Sequence, residues 1–365
     1  MSSDSSKRLA KIAAWTAAAA VLLGFGTYSA KPFWQHWWFA HQLCGGTLSA
    51  DDLGDVLPDE RLQSGTNEVH LDQGRMTCRV DENDGHHFVL SVDVNSDPSE
   101  VESELNMSFT IPSEPGFVFP DRIPGFQDGH GPVILQECPA LQRDEYGRKR
   151  RLLTKVIEPS GDDRPSSAAL RIAVSAANAA SEKSGCGAKP LPSPESVAPA
   201  PKNLSLAAAA DTGCGWLAEA RLPRNPSGKP WEVQVRSVGD LAPITSCALI
   251  DSAKKQAAAT FTGWYGTWSD KQFETLLAAN VDHRSGQSSR GPMMAERLGR
   301  ATARCDGESA NYEAYSHSRD TDITHTYLTG AQLRPLLVKF TEDQAHQRGC
   351  TGLRLPDRTI NPMAD

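Results

Sequence analysis

Eight cysteines narrow what this chain can fold into more than any other feature. They stand at Cys44, Cys78, Cys138, Cys186, Cys214, Cys247, Cys305 and Cys350. Gaps within the first four are 34, 60 and 48 residues, and within the second four 33, 58 and 45. Matching triplets of this kind are the mark of internal duplication. The neighbours repeat too: Cys44-Gly45 with Cys214-Gly215, Thr77-Cys78 with Ser246-Cys247, and Gly185-Cys186 with Gly349-Cys350. Leu191-Pro192 and Leu355-Pro356 follow the last two cysteines at the same distance. An even count with no Cys-x-x-Cys pair argues for disulfides in an oxidising compartment, not for a metal cluster. Four cysteines allow three pairings per repeat. The preferred set joins first with second and third with fourth: Cys44–Cys78, Cys138–Cys186, Cys214–Cys247 and Cys305–Cys350. Each closes a loop worth roughly 4 kcal/mol in the chain-entropy picture.

The repeated Gly-Cys reads as a helix stop with a staple. Before Cys186, Leu170, Ala173, Val174 and Ala177 fall at helical spacing, with Ser166 or Ser167 to cap. Before Cys350, Leu333, Leu336, Leu337 and Phe340 do the same, and Pro335 suits a first helical position. Gly185 and Gly349 then supply the left-handed residue that ends a helix.

The N-terminus points to a membrane. Ile12 to Ala30 is a run of 19 residues without charge, about 28 Å as a helix, close to the hydrocarbon thickness of a bilayer. Lys7, Arg8 and Lys11 precede it, which leaves the short tail in the cytoplasm. Phe33, Trp34, Trp37, Trp38 and Phe39 follow, rings suited to the headgroup layer. A cleaved signal peptide is the competing reading, but the run exceeds the usual apolar core and Tyr28 spoils the best cleavage site. Cys44 stands too far beyond the apolar run to be a lipidated cysteine.

The expected division is a tail at 1–11, an anchor at 12–30, a juxtamembrane segment at 31–43 and repeats at 44–190 and 211–365. A Pro/Ala-rich linker at 191–210 holds Pro192, Pro194, Pro199 and Pro201 and reads as a semi-rigid spacer. Net charge is −8 with pI near 5.7, so no basic footprint for nucleic acid is present. The dense run Arg148-Lys149-Arg150-Arg151 reads as a solvated turn before a strand at Leu152–Ile157; a patch for an anionic partner is the alternative.

Each repeat reads as α+β: a small antiparallel sheet with helices on one face and two disulfides. Ser49 caps a short helix with Asp51 and Asp52 in its first turn and Leu53, Val56 and Leu57 inward. Val80 to Asp93 reads as a hairpin turning at Asp84-Gly85. In the second repeat, strands are expected at Trp231–Val235, Ala257–Trp264, Asn311–Ser316 and Asp322–Leu328.

The opening Cys-Gly-Gly-Thr-Leu-Ser-Ala-Asp-Asp-Leu-Gly-Asp-Val-Leu-Pro from Cys44, the Met-Thr-Cys-Arg-Val around Cys78 and the closing helix with Gly-Cys resemble a class of exported actinobacterial domains. These include small two-disulfide lipoprotein domains of unknown function and the extracytoplasmic sensor domains of mycobacterial Ser/Thr kinases. The resemblance covers each repeat as a pattern and is weaker in the second, where Cys214 leads into a shortened helix. The pattern departs from the kinase sensors in that only about eleven residues precede the membrane run, so no attached kinase is expected. It implies an α+β fold and a binding or sensing role in a bacterial envelope, and it carries no catalytic residues.

Three clusters could carry chemistry. Phe261, Trp264, Tyr265 and Trp268, with glycines between them, could wall a ligand pocket; ordinary packing competes. His317, Asp320, Asp322 and His325 form the best metal or acid–base candidate, against a plain turn with a half-buried histidine. Asp81, Glu82, Asp84, His86 and His87 lack a calcium-loop pattern and read as a polar turn. No phosphate loop, dinucleotide fingerprint or hydrolase signature occurs in the exported part. The leading expectation is therefore a membrane-anchored extracytoplasmic binding or interaction module without a cofactor, contacting the bilayer through Ile12 to Ala30 and an unknown envelope partner or ligand. The alternatives are a structural accessory of an envelope assembly, or a metal-dependent hydrolase using His317, His325 and Asp322.

Overall fold

A computed structural model describes residues 15–17, 31–57, 62–82, 88–108, 119, 123–127, 130–158, 166–194, 203–237, 243–270, 291–319 and 325–361. Among them no helix is long and apolar enough to cross a membrane. The expected span Ile12 to Ala30 lies outside the described residues except for 15–17, a helical fragment with Trp15 exposed.

The first unit opens with α1 (Lys31–Gln42), α2 (Ala50–Val56), β1 (Leu62–His70), β2 (Arg75–Glu82) and β3 (Phe88–Asn95). It continues with α3 (Pro98–Ser108), β4 (Gly125–Gln127), β5 (Pro132–Glu137), β6 (Arg151–Ile157) and α4 (Ser167–Lys183). Its six strands run in the order β1-β2-β3-β6-β5-β4, all antiparallel. The second unit has β7 (Asn203–Ser205), α5 (Trp216–Glu219), β8 (Trp231–Ser237), β9 (Ile244–Asp251), β10 (Gln256–Tyr265) and β11 (Met293–Ala295). It ends with β12 (Leu298–Cys305), β13 (Glu308–Ser316), α6 (Gly330–Gln347), β14 (Thr351–Arg354) and β15 (Ile360–Asn361). The order β8-β9-β10-β13-β12-β11 repeats that of the first sheet, with β7, β14 and β15 added at its margins.

The repetition extends to register. Cys78 pairs with Val92, which pairs with Val156; Cys247 pairs with Phe261, which pairs with Ala314. The four disulfides are Cys44–Cys78, Cys138–Cys186, Cys214–Cys247 and Cys305–Cys350, the adjacent pairings preferred from the sequence.

Both long helices end alike. In α4, Gly185 is left-handed (φ 68°), Cys186 N–H donates to the Ser181 carbonyl at 3.0 Å and Gly185 N–H to Glu182 at 3.3 Å. In α6, Gly349 (φ 62°) and Cys350 make the same pair of bonds to His346 and Ala345. This Schellman geometry satisfies otherwise orphaned carbonyls, and the cysteine that closes it ties the helix end to the close of β5 or β12.

At their starts, Ser166 accepts from Ala169 N–H, while Thr329 and Gln332 form a reciprocal capping box. That box places the start of α6 five residues before Pro335, which lies inside the helix and not at its first position. Asp322–Leu328 is not a strand in its described part: only the isolated bridge Ser318–Thr326 forms there.

Period-two alternation sends Met76, Cys78, Val80, Leu90, Val92, Leu152 and Val156 into one core with α2 and α4. Phe261, Tyr312, Leu333, Leu337 and Phe340 build the matching core of the second unit. Two boundaries shift. Gln35 accepts from Leu62 N–H at 3.0 Å and Phe39, Ala40 and Leu43 join the first core, so 31–43 is part of that unit and not a separate segment. Asn203–Ser205 pairs with β8, so the end of the expected linker belongs to the second sheet.

Candidate functional site

The four aromatics expected to wall one pocket are divided by strand alternation. Phe261 is fully buried in the second core, 4.9 Å from the Trp216 ring and 5.9 Å from Phe340. Tyr265 turns to the same side, hydrogen-bonds Thr245 at 2.9 Å and Gln344 at 3.2 Å, and carries the Arg348 guanidinium over its ring. Trp264 and Trp268 emerge on the other face, 6.1 Å apart edge to face. There they pack with Ile244 against Val133, Leu135, Leu153 and Phe126 of the first unit and Val101 and Leu105 of α3. The four rings serve two packed clusters, and α3 lies on the sheet face opposite α4, so the helices are not confined to one face.

That apolar contact is a seam between the two units, and ions border it. The run expected to be a solvated turn supplies them. Arg151 donates from Nη1 to Glu308 Oε1 at 3.2 Å and pairs through Nη2 with the other oxygen, both side chains buried. Lys149 bridges Glu137 at 3.1 Å and pairs with Asp306. Arg148 holds Asp144 at 2.6 Å and Glu102 at 3.0 Å. Burial alone would raise the Glu308 carboxyl, but the Arg151 guanidinium and donors from Lys149 N–H and Thr267 bring it below the usual range. The basic run therefore fastens one repeat to the other, and the two repeats are docked along this seam.

The histidine candidate is not brought together as a metal centre by the described residues. His317 Nε2 lies 3.3 Å from the Thr260 hydroxyl and its ring meets Tyr315 edge-on. His325 is exposed, its carbonyl accepting from Arg319 N–H at 2.7 Å. Asp320 and Asp322 lie outside the described residues, as do Asp84, His86 and His87. Among the described residues no group of three or more His, Cys, Asp or Glu side chains could hold a metal ion.

A cleft of about 380 Å³ lies on the outer face of β12, β13 and β14. Arg300, Thr302 and Arg304 point the same way because they alternate along β12, and Arg354 joins them because β14 pairs at Thr302. The floor is a polar network. Arg300 Nη2 donates to Asn311 Oδ1 at 2.6 Å, while Asn311 Nδ2 donates to Asp270 at 2.8 Å and Ser269 at 2.8 Å. Ser309 donates to the other Asp270 oxygen at 2.8 Å.

Beside the floor, Glu313 is 8 % exposed and forms no hydrogen bond or ion pair among the described residues; burial pushes its carboxyl up to about 7. The arginines were legible as Arg-x-x-x-Arg at strand spacing from Arg300, a signal that points to chemistry only once the open side of the sheet is known. No protein-family model, curated protein or solved structure matches the chain.

Proposed function

We propose that this chain is a single-span, membrane-anchored binding or interaction module, built by tandem duplication and presented outside the membrane of a bacterial envelope. The cleft in a frame locked by four disulfides carries this reading: a concave, hydrogen-bond-rich surface on a rigid support is what a binding site needs. The disulfides support an oxidising compartment. The uncharged run at Ile12 to Ala30 supports the anchor. So do the tryptophans on the outward side of α1, where Trp34, Trp37 and Trp38 are 41–58 % exposed directly after that run.

Topology tests the reading. In intact cells, protease should remove the region after Ala30 while a tag before Lys7 survives, and all eight cysteines should resist alkylation until reduced. A tag cleaved from outside, or cysteines alkylated without reductant, would overturn it.

A further inference from the structure

We infer that the cleft on β12, β13 and β14 binds a small, multiply charged anion, with phosphate or clustered carboxylates as its recognised groups. The inference deepens the binding-module reading and rests on it only for biological context.

The first ground is charge. Arg300, Arg304 and Arg354 face one cavity in a chain whose net charge is −8. The one carboxylate in the lining, Asp270, has both oxygens engaged by Ser309 and Asn311. Arg304 spends one Nη donor on the Gly307 carbonyl at 2.6 Å and pairs with no acid, and exposed Arg354 has no partner among the described residues. Two guanidinium groups at the rim are therefore available as planar forks, the geometry that suits phosphate and carboxylate.

The second ground is construction. Arg300 is 3 % exposed and is held from below through Asn311, so the floor of the cleft is built, not a chance meeting of surface side chains. Thr302 and Ser309 place hydroxyls beside the arginines. A volume near 380 Å³ suits a small ligand.

The third ground is the other repeat. Cross-strand pairing makes Val133–Lys155, Leu135–Leu153 and Glu137–Arg151 the counterparts of Arg300–Glu313, Thr302–Asn311 and Arg304–Ser309. At three of these positions the first sheet carries apolar side chains, Val133, Leu135 and Leu153, that enter the seam, while Glu137 and Arg151 belong to its ionic border. The same scaffold face is thus closed by packing in one copy and left cationic and open in the other. The scaffold does not require arginines there.

Titration calorimetry on the full chain in detergent tests this, with pyrophosphate and citrate as probes at matched ionic strength and chloride as the blank. At least one probe should bind saturably at one site. Arg354→Ala should weaken it about tenfold, and Arg304→Gln with Arg354→Glu should abolish it, while Arg224→Glu outside the cleft leaves it unchanged. Binding of pyrophosphate alone assigns phosphate, of citrate alone assigns clustered carboxylates, and of both assigns the shared anionic chemistry. Absence of saturation by either probe, or undiminished binding in the Arg304 and Arg354 variant, would overturn the inference. The measurement is made on purified protein and is independent of membrane topology, so its failure and the failure of the anchored-module reading are separately visible.

Discussion

The outer faces of the two sheets share one backbone and have opposite fates. On β5 and β6 the outward positions hold Val133, Leu135 and Leu153, and they close against Trp264 and Trp268. On β12 and β13 the corresponding positions hold Arg300, Thr302 and Asn311, and they line a cleft. The inward faces differ far less in kind: both carry a cysteine, a cross-strand hydrophobe and a long helix tied down by sulfur. A duplicated domain keeps what its own core needs, because a core defect is felt at once in stability. Its outward face answers only to what lies beyond it.

The comparison can be broken most severely at the ionic border of the seam. Arg151→Ala strands the buried Glu308 carboxylate and should cost about 3–5 kcal/mol, read by denaturant titration. Replacing both residues by methionine should cost less than the single change, since two apolar side chains leave no buried charge. A double variant as unstable as Arg151→Ala would show that the pair is not the fastening. Glu308 is held below its ordinary range, so its contribution is present above that range and is lost as pH falls through the depressed value. Acid should therefore bring parent and Arg151→Ala together.

Glu313 sharpens the contrast on the other sheet. Its folded carboxyl titrates at about 7 against an ordinary 4.5. Between those values the folded state keeps the proton and the unfolded state releases it, so the parent loses stability as pH rises through this window. Glu313→Gln should be nearly neutral at about pH 4 and stabilise by about 3 kcal/mol at about pH 8. A gain independent of pH would show that the carboxyl is not desolvated.

The smallest effect compares the two helix starts. Ser166→Ala and Thr329→Ala should each cost about 1 kcal/mol, with the larger loss at Thr329, where a capping box is broken. Equal melting shifts would remove that distinction.

Parts of this fold were legible for physical reasons. The short helix capped by Ser49 and the hairpin joining β2 to β3 rest on local rules, caps and alternation. Strand β9, Ile-Thr-Ser-Cys-Ala-Leu-Ile-Asp, escapes such rules because all eight residues are buried, which erases the alternation that marks a half-covered strand. β12 escapes for the opposite reason, since its outward arginines read as solvated surface. The aromatic quartet was legible as aromatic, not as two clusters, because a shift of one residue along a strand changes the face.

Taken alone, the sequence determined two copies, four sulfur bridges, the long helices and their Gly-Cys endings, because spacing and capping act over short distances or through covalent bonds. Tertiary structure alone decided that a basic run would fasten one copy to the other, that Trp264 and Trp268 would be covered, and that Arg300 and Arg304 of β12 would line one cleft, the first at its floor and the second at its rim. Those outcomes depend on which surface arrives opposite each residue, and a linear chain holds no local record of that.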